Sequence, residues 1–176
     1  MSNGERLPYA FAKIMADRVV EMLRADCDRI EIAGSIRRHA PTAGDIELVL
    51  IPKKVSADLF GTEEFGSQRI EQVLRENGFE ILKNGPLMKQ ARLQGVVVEL
   101  FLTTPEKWGC VFTIRTGNAY FSHKLVTKRK DDGMCPSNMD FVDGRLWRAG
   151  MLLDTPEEED VFRELGLEWV EPNKRM

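Results

Sequence analysis

Gly34-Ser35-Ile36-Arg37-Arg38, followed five residues later by Gly44-Asp45-Ile46-Glu47-Leu48-Val49-Leu50-Ile51, is the most informative part of this chain. The second run is rich in β-branched and aliphatic residues and closes at Pro52, which marks it as a strand. Successive strand side chains point to opposite faces, so Asp45 and Glu47 share one face while Ile46, Leu48 and Leu50 line the other. The first run ends the alternating segment Arg29-Ile30-Glu31-Ile32-Ala33, a second strand, and leaves a loop of Gly and Arg between the two. In that loop Gly34 permits close backbone approach, Ser35 can donate to an oxygen, and Arg38 can neutralise phosphate charge. The segment has the chemistry of a triphosphate seat beside two carboxylates.

A third carboxylate interrupts an apolar strand: Glu99 lies between Val96-Val97-Val98 and Leu100-Phe101-Leu102. A charge buried there is costly unless it is paired or binds a cation, and clustered carboxylates raise one another's pKa. A hard divalent ion, Mg2+ or Mn2+ rather than zinc, answers both difficulties. Two such ions, roughly 3.5–4 Å apart, suit in-line displacement at phosphorus.

Around this centre the pattern predicts an α+β unit. A core helix begins at Pro8, carries Phe11, Ile14, Met15, Val19, Met22 and Leu23 inward, and ends near Ala25. A helix over 68–77 precedes strands at 79–82, 87–93 and 96–102, separated by Asn84-Gly85-Pro86 and Gln94-Gly95. The expected sheet is mixed and mostly antiparallel. After Thr104-Pro105 the pattern turns helical, at 108–114 and 118–130, which sets a boundary between residues 1–104 and a small α/β subdomain over 105–176. Asp143-Gly144 signals a hairpin, and Thr155 to Glu158 has capping-box spacing ahead of a helix reaching Leu165.

Composition excludes several classes. With 43% apolar and 30% charged residues the 176-residue chain is not disordered, and no apolar run reaches the roughly 18 residues of a membrane helix. The opening Met1 to Arg6 lacks leader character, so a cytoplasmic protein, or a viral one acting in a host cytoplasm, is expected. Three cysteines without CxxC spacing argue against a disulfide scaffold. The net charge of −3 hides a segregation: between Arg115 and Lys130 there are five full positive charges and no acid, whereas Asp154 to Glu164 carries six acids and one Arg. A local basic stripe fits either a nucleic-acid contact on one face or a solvated helix face.

The ordered set of Gly34-Ser35, Asp45-x-Glu47, Glu99, Trp108-Gly109, Thr116-Gly117, Glu164-Leu165-Gly166-Leu167 and Glu171-Pro172-Asn173-Lys174-Arg175 resembles the palm and C-terminal subdomain of family X DNA polymerases, the DNA polymerase beta family. Arg6-Leu7-Pro8 matches the opening of that palm, and the missing helix-hairpin-helix portions suggest the minimal palm-plus-thumb form. The resemblance implies that Asp45, Glu47 and Glu99 hold two Mg2+ or Mn2+ ions, with Glu99 helping to take the proton of a primer 3′-hydroxyl. It implies a triphosphate held by Arg6, Gly34, Ser35, Arg38 and the Gly44 N–H. The incoming sugar and base would lie along Ile114, Arg115, Thr116, Gly117, Ala119 and Ser122, with Lys124, Lys128 and Arg129 on nucleic-acid phosphate. The implied partners are primer-template or gapped DNA, a dNTP or rNTP, and a DNA ligase, for a monomer that fills short gaps.

The departures bear on the same residues. The family usually carries Asp where Glu47 and Glu99 stand, an aromatic pair where Ile114-Arg115 stands, and polar base or template contacts where Ala119, Ser122 and Val126 stand. Metal preference, sugar discrimination and template dependence are therefore open. A template-independent transferase acting on DNA or RNA ends, and a non-catalytic palm that binds nucleic acid, remain alternatives.

Overall fold

The computed structural model describes residues 6–54 and 66–176. The opening Met1 to Glu5, part of the stretch inspected for a leader, lies outside them. The chain forms two compact units, Met1–Ile36 with Ala40–Thr103 and Arg37–His39 with Thr104–Met176.

In the first unit β1 (Leu7–Pro8) precedes α1 (Tyr9–Leu23), β2 (Cys27–Ile32) and the short helix α2 (Gly34–Arg37). There follow β3 (Thr42–Ala43), β4 (Ile46–Pro52), α3 (Gly66–Glu76), β5 (Glu80–Asn84), β6 (Met88–Leu93) and β7 (Val96–Leu102). The five long strands form one sheet in the order β2-β4-β7-β6-β5, and β1 pairs with β3 separately. Within the large sheet only β4 and β7 run parallel; the other neighbours are antiparallel. This is the mixed, mostly antiparallel α+β architecture that the strand pattern implies.

The two faces of the central strands differ as alternation requires. Ile46, Leu48 and Leu50 of β4 stand level with Val98, Leu100 and Leu102 of β7, all buried and in one cluster with Ala12, Ala16, Val19 and Leu23 of α1 and Ile70, Val73 and Leu74 of α3. Glu47 and Glu99 stand on the opposite face and are half-buried. The cost of charge at Glu99 is thus smaller than an enclosed apolar strand would impose.

Several local expectations are corrected. Phe11 and Ile14 are exposed, because α1 turns its small residues Ala12 and Ala16 inward, where they let the helix approach the sheet closely. The helix stops at Leu23 and Arg24–Asp26 forms a single 3-10 turn. The Gly-Arg loop is largely the helix α2. In the second unit the basic helix is shorter than its charge pattern suggests: α5 ends at Val126, and Lys128 and Arg129 lie beyond it. The Thr127 hydroxyl donates to the His123 carbonyl at 2.7 Å, satisfying an end carbonyl as the chain leaves the helix.

That second unit comprises α4 (Trp108–Thr116), α5 (Ala119–Val126), an antiparallel sheet of β8 (Met139–Val142), β9 (Arg145–Arg148) and β10 (Met151–Leu152), and α6 (Glu158–Leu165). Its core gathers Cys110, Phe121, Leu125, Leu146, Val161 and Phe162. Gly109 is required by packing rather than by backbone conformation: a Cβ there would lie 2.3 Å from the Thr155 carbonyl oxygen. Thr155 is not the cap of α6. The cap is Glu157, whose N–H donates to Asp160 Oδ2 at 3.0 Å. Among the described residues no helix is long and apolar enough to cross a membrane.

Candidate active site

The parallel pairing of β4 with β7 sets Glu47 and Glu99 directly abreast. Parallel partners one strand apart lie about 4.8 Å from each other, with side chains on the same face. Asp45 immediately precedes β4, and its carboxyl is raised above the usual aspartate range by burial first and by the Glu99 charge second, the Arg6 guanidinium opposing both. All three carboxylates therefore belong to one end of one sheet face, and Asp45 and Glu99 feel each other's charge.

Each glutamate is seated differently. Gly34 has φ +56°, and a Cβ built on it would fall 1.6 Å from Glu47 Oε2. The glutamate carboxylate thus rests against the start of α2, at a spot only a glycine leaves open. Glu99 Oε1 accepts a hydrogen bond from Gln90 Nε2 at 2.7 Å. Gln90 is absent from the sequence-based candidate set, although the Gln94-Gly95 turn pairs Leu93 with Val96 and so counts Gln90 opposite Glu99. Gly34→Ala should cost about 1–3 kcal/mol, the order of a strained backbone position, and should displace Glu47. Urea unfolding of the single variant and of Gly34→Ala with Glu47→Asp checks this: the shorter acid should recover part of the loss.

Three carboxylates are the oxygen donors a hard cation takes. As the side chains stand, no three His, Cys, Asp or Glu among the described residues converge closely enough to hold an ion. Glu47 rests against Gly34 and Glu99 Oε1 is held by Gln90, while the strand register already sets the two glutamates abreast. The donor chemistry and the register fit a divalent cation.

The phosphate candidates divide between the units. Arg6 donates from Nε to Thr42 Oγ1 at 2.8 Å and from Nη2 to the Thr42 carbonyl at 2.9 Å, which places its guanidinium beside Gly44, where an added Cβ would lie 3.6 Å from Nη1. Ser35 is the second residue of α2 and half-buried. Arg38 belongs to the second unit and donates to the Thr116 carbonyl at 2.7 Å.

In the second unit Thr116 ends α4, Gly117 follows, and Ser122 Oγ donates to the Ile114 carbonyl at 2.6 Å, so this turn is held from within. Arg115 and Ala119 flank it. The basic residues have structural partners. Lys124 pairs with Asp132, Lys128 pairs with Asp140 at 2.7 Å, and Arg129 donates to the Leu165 carbonyl at 2.7 Å, closing the C-terminal end of α6. The charge stripe is therefore partly neutralised inside its own unit.

One cluster here has no counterpart among the sequence-derived candidates. Glu158, in the first turn of α6, receives Arg37 Nη2 at 2.5 Å and Arg175 Nη1 at 2.6 Å. Arg175 is wholly buried, with its guanidinium 4.7 Å from the Trp169 ring centroid and 5.0 Å from that of Phe162. Arg37 also covers the Phe112 ring at 3.9 Å and donates to Thr116 Oγ1 at 2.5 Å.

Residues 112–176, which contain every member of this cluster except Arg37, match the family described as DNA polymerase beta thumb. DNA polymerase lambda of Rattus norvegicus is 27% identical over 158 residues, covering 81% of this chain and 28% of the relative. The chain thus spans under a third of that relative's length. A thumb match in the second unit and a relative named as a DNA polymerase, whose similarity runs across most of the chain, agree: the chain is similar to family X DNA polymerases.

Proposed function

We propose that the chain is a metal-dependent nucleotidyltransferase that adds a deoxynucleotide to a DNA 3′ end, filling short gaps in repair or replication. The observation that carries the proposal is the register of Glu47 with Glu99 at the strand end where Asp45 lies. The rat relative bears the name of a DNA polymerase, which supports the same reading.

In this mechanism Asp45, Glu47 and Glu99 would hold the cations. A bound divalent ion supplies positive charge against the oxyanions of a phosphoryl transfer. Glu99, with Oε1 taken by Gln90, offers Oε2 to the proton of the 3′-hydroxyl. The 3′-oxygen, its proton passed to Glu99, forms a bond to the α-phosphorus, the α–β bridge bond breaks, and pyrophosphate leaves with the electron pair. Arg6, the Gly44 N–H, Gly34 and Ser35 would hold the triphosphate, with Arg38 as a further cation for it. Ile114, Arg115, Thr116, Gly117, Ala119 and Ser122 would border the nucleotide. Lys124, Lys128 and Arg129 would meet DNA phosphate only by sharing the groups they already hold. Those prior pairings favour a second reading, template-independent addition to a free end, which needs less contact with a duplex. A ligase to seal the product, and a monomeric state, complete the proposal.

Extension of a labelled primer, alone and annealed beside a one-nucleotide gap, tests it with dNTPs or rNTPs. Template-matched extension supports the polymerase, extension of the lone primer the transferase, and binding without extension a non-catalytic palm. Mn2+ should support faster turnover than Mg2+, because two longer carboxylates meet the strict octahedron of Mg2+ less readily. Titration of each ion in the same assay checks this, and equal or faster turnover with Mg2+ counts against it.

A further inference from the structure

We infer that Gln90 is a positioning residue for Glu99, setting which carboxylate oxygen is presented to a bound divalent cation. The inference rests on the cation site proposed above and extends it to a residue outside the carboxylate set.

Gln90 and Glu99 are directly opposed across β6 and β7, on the sheet face away from the apolar core. Ala91, Val98 and Leu100 of the flanking pairs belong to the buried apolar cluster, so a one-residue slip of either strand would turn its share of them to the wrong face. The amide is therefore held beside the carboxylate by the strands and not by chance side-chain placement. Its Nε2 to Oε1 distance of 2.7 Å is that of a hydrogen bond to an ionised acceptor. Glutamate carries one more rotatable bond than aspartate, so ordering it at a cation costs more conformational entropy. A donor that fixes one oxygen in advance removes part of that cost before an ion arrives. Glu47 has a comparable seat at Gly34, of steric rather than hydrogen-bonding kind.

Partners of ligating carboxylates typically change metal affinity by about 10–100-fold when removed. Gln90→Met keeps the length and volume of the side chain and deletes the donor; Gln90→Ala is the second variant should the first fail to fold. The probe is Mn2+ alone, its free concentration read by electron paramagnetic resonance, with thermal melting of each protein in chelator as the control. Gln90→Met should weaken Mn2+ binding about tenfold or more with little change in melting. In a Glu99→Gln background the same substitution should change nothing further, because the acceptor it orients is already gone. Equal losses in both backgrounds, or wild-type affinity in Gln90→Met while Glu99→Gln loses the ion, overturn the positioning role and leave the cation site standing. Wild-type affinity in both Glu99→Gln and Asp45→Asn overturns the cation site, and the inference with it.

Discussion

Asp45→Asn should lower primer extension by at least about 10³-fold, because it removes one of three anions and weakens cation binding where charge develops at phosphorus. Each tenfold in rate corresponds to about 1.4 kcal/mol, and a metal ion contributes several kcal/mol of transition-state stabilisation. The same substitution should not destabilise the chelated protein. In the folded state burial and the Glu99 charge disfavour the ionised form of Asp45, raising its pKa above the ordinary aspartate value. At pH 7 the unfolded chain ionises that group without this cost, so the native carboxylate subtracts from stability; once pH falls below the ordinary value both states are protonated and the difference vanishes. The variant should therefore melt higher than the parent at neutral pH in chelator and level with it in acid. Loss of activity with an unchanged or raised melting point would mark a chemical role. Undiminished extension would remove Asp45 from the site.

The legibility of this site in the sequence follows from how local each interaction is. Strand alternation alone places Asp45 and Glu47 on one face, and the two-residue Gln94-Gly95 turn is sufficient to count Gln90 opposite Glu99. The adjacency of β4 and β7 is different. It joins strands about fifty residues apart by a parallel pairing, which no turn specifies. Glu99 stands out in the sequence as a charge among apolar residues, but the half-open face it occupies appears only once the sheet is assembled. The basic stripe misleads for a related reason. Lys124 and Lys128 find Asp132 and Asp140 only after the chain leaves α5 and turns back, so a count over 115–130 sees the cations and misses their partners. Arg37 reads as part of a phosphate loop for the same want of a third dimension: its partner Glu158 lies 121 residues away.

Glu158→Ala should destabilise the second unit by about 3–5 kcal/mol, the typical result of removing one member of a buried ion cluster. The carboxylate is 4% exposed and stands between Arg37 and Arg175, the latter without solvent exposure at all. Without it a buried guanidinium faces aromatic rings and the Val170 carbonyl, to which Nε donates at 2.8 Å, and neither supplies a counter-charge. The N-terminal end of α6 adds to the loss, since a helix start favours an anion in its first turn. For a unit of this size, 1 kcal/mol shifts the melting midpoint by about 4–8 °C, so a fall of more than about 10 °C is expected. Glu158→Gln, which keeps shape and an acceptor, should fall between the parent and the alanine variant. Replacing Glu158 by Leu together with Arg175 by Met should recover much of the stability, because buried ions exchanged for well-packed apolar groups are often neutral. If the double variant melts as low as Glu158→Ala, the cluster holds the unit by shape and hydrogen bonding, and the balance of charge is not what the alanine variant loses.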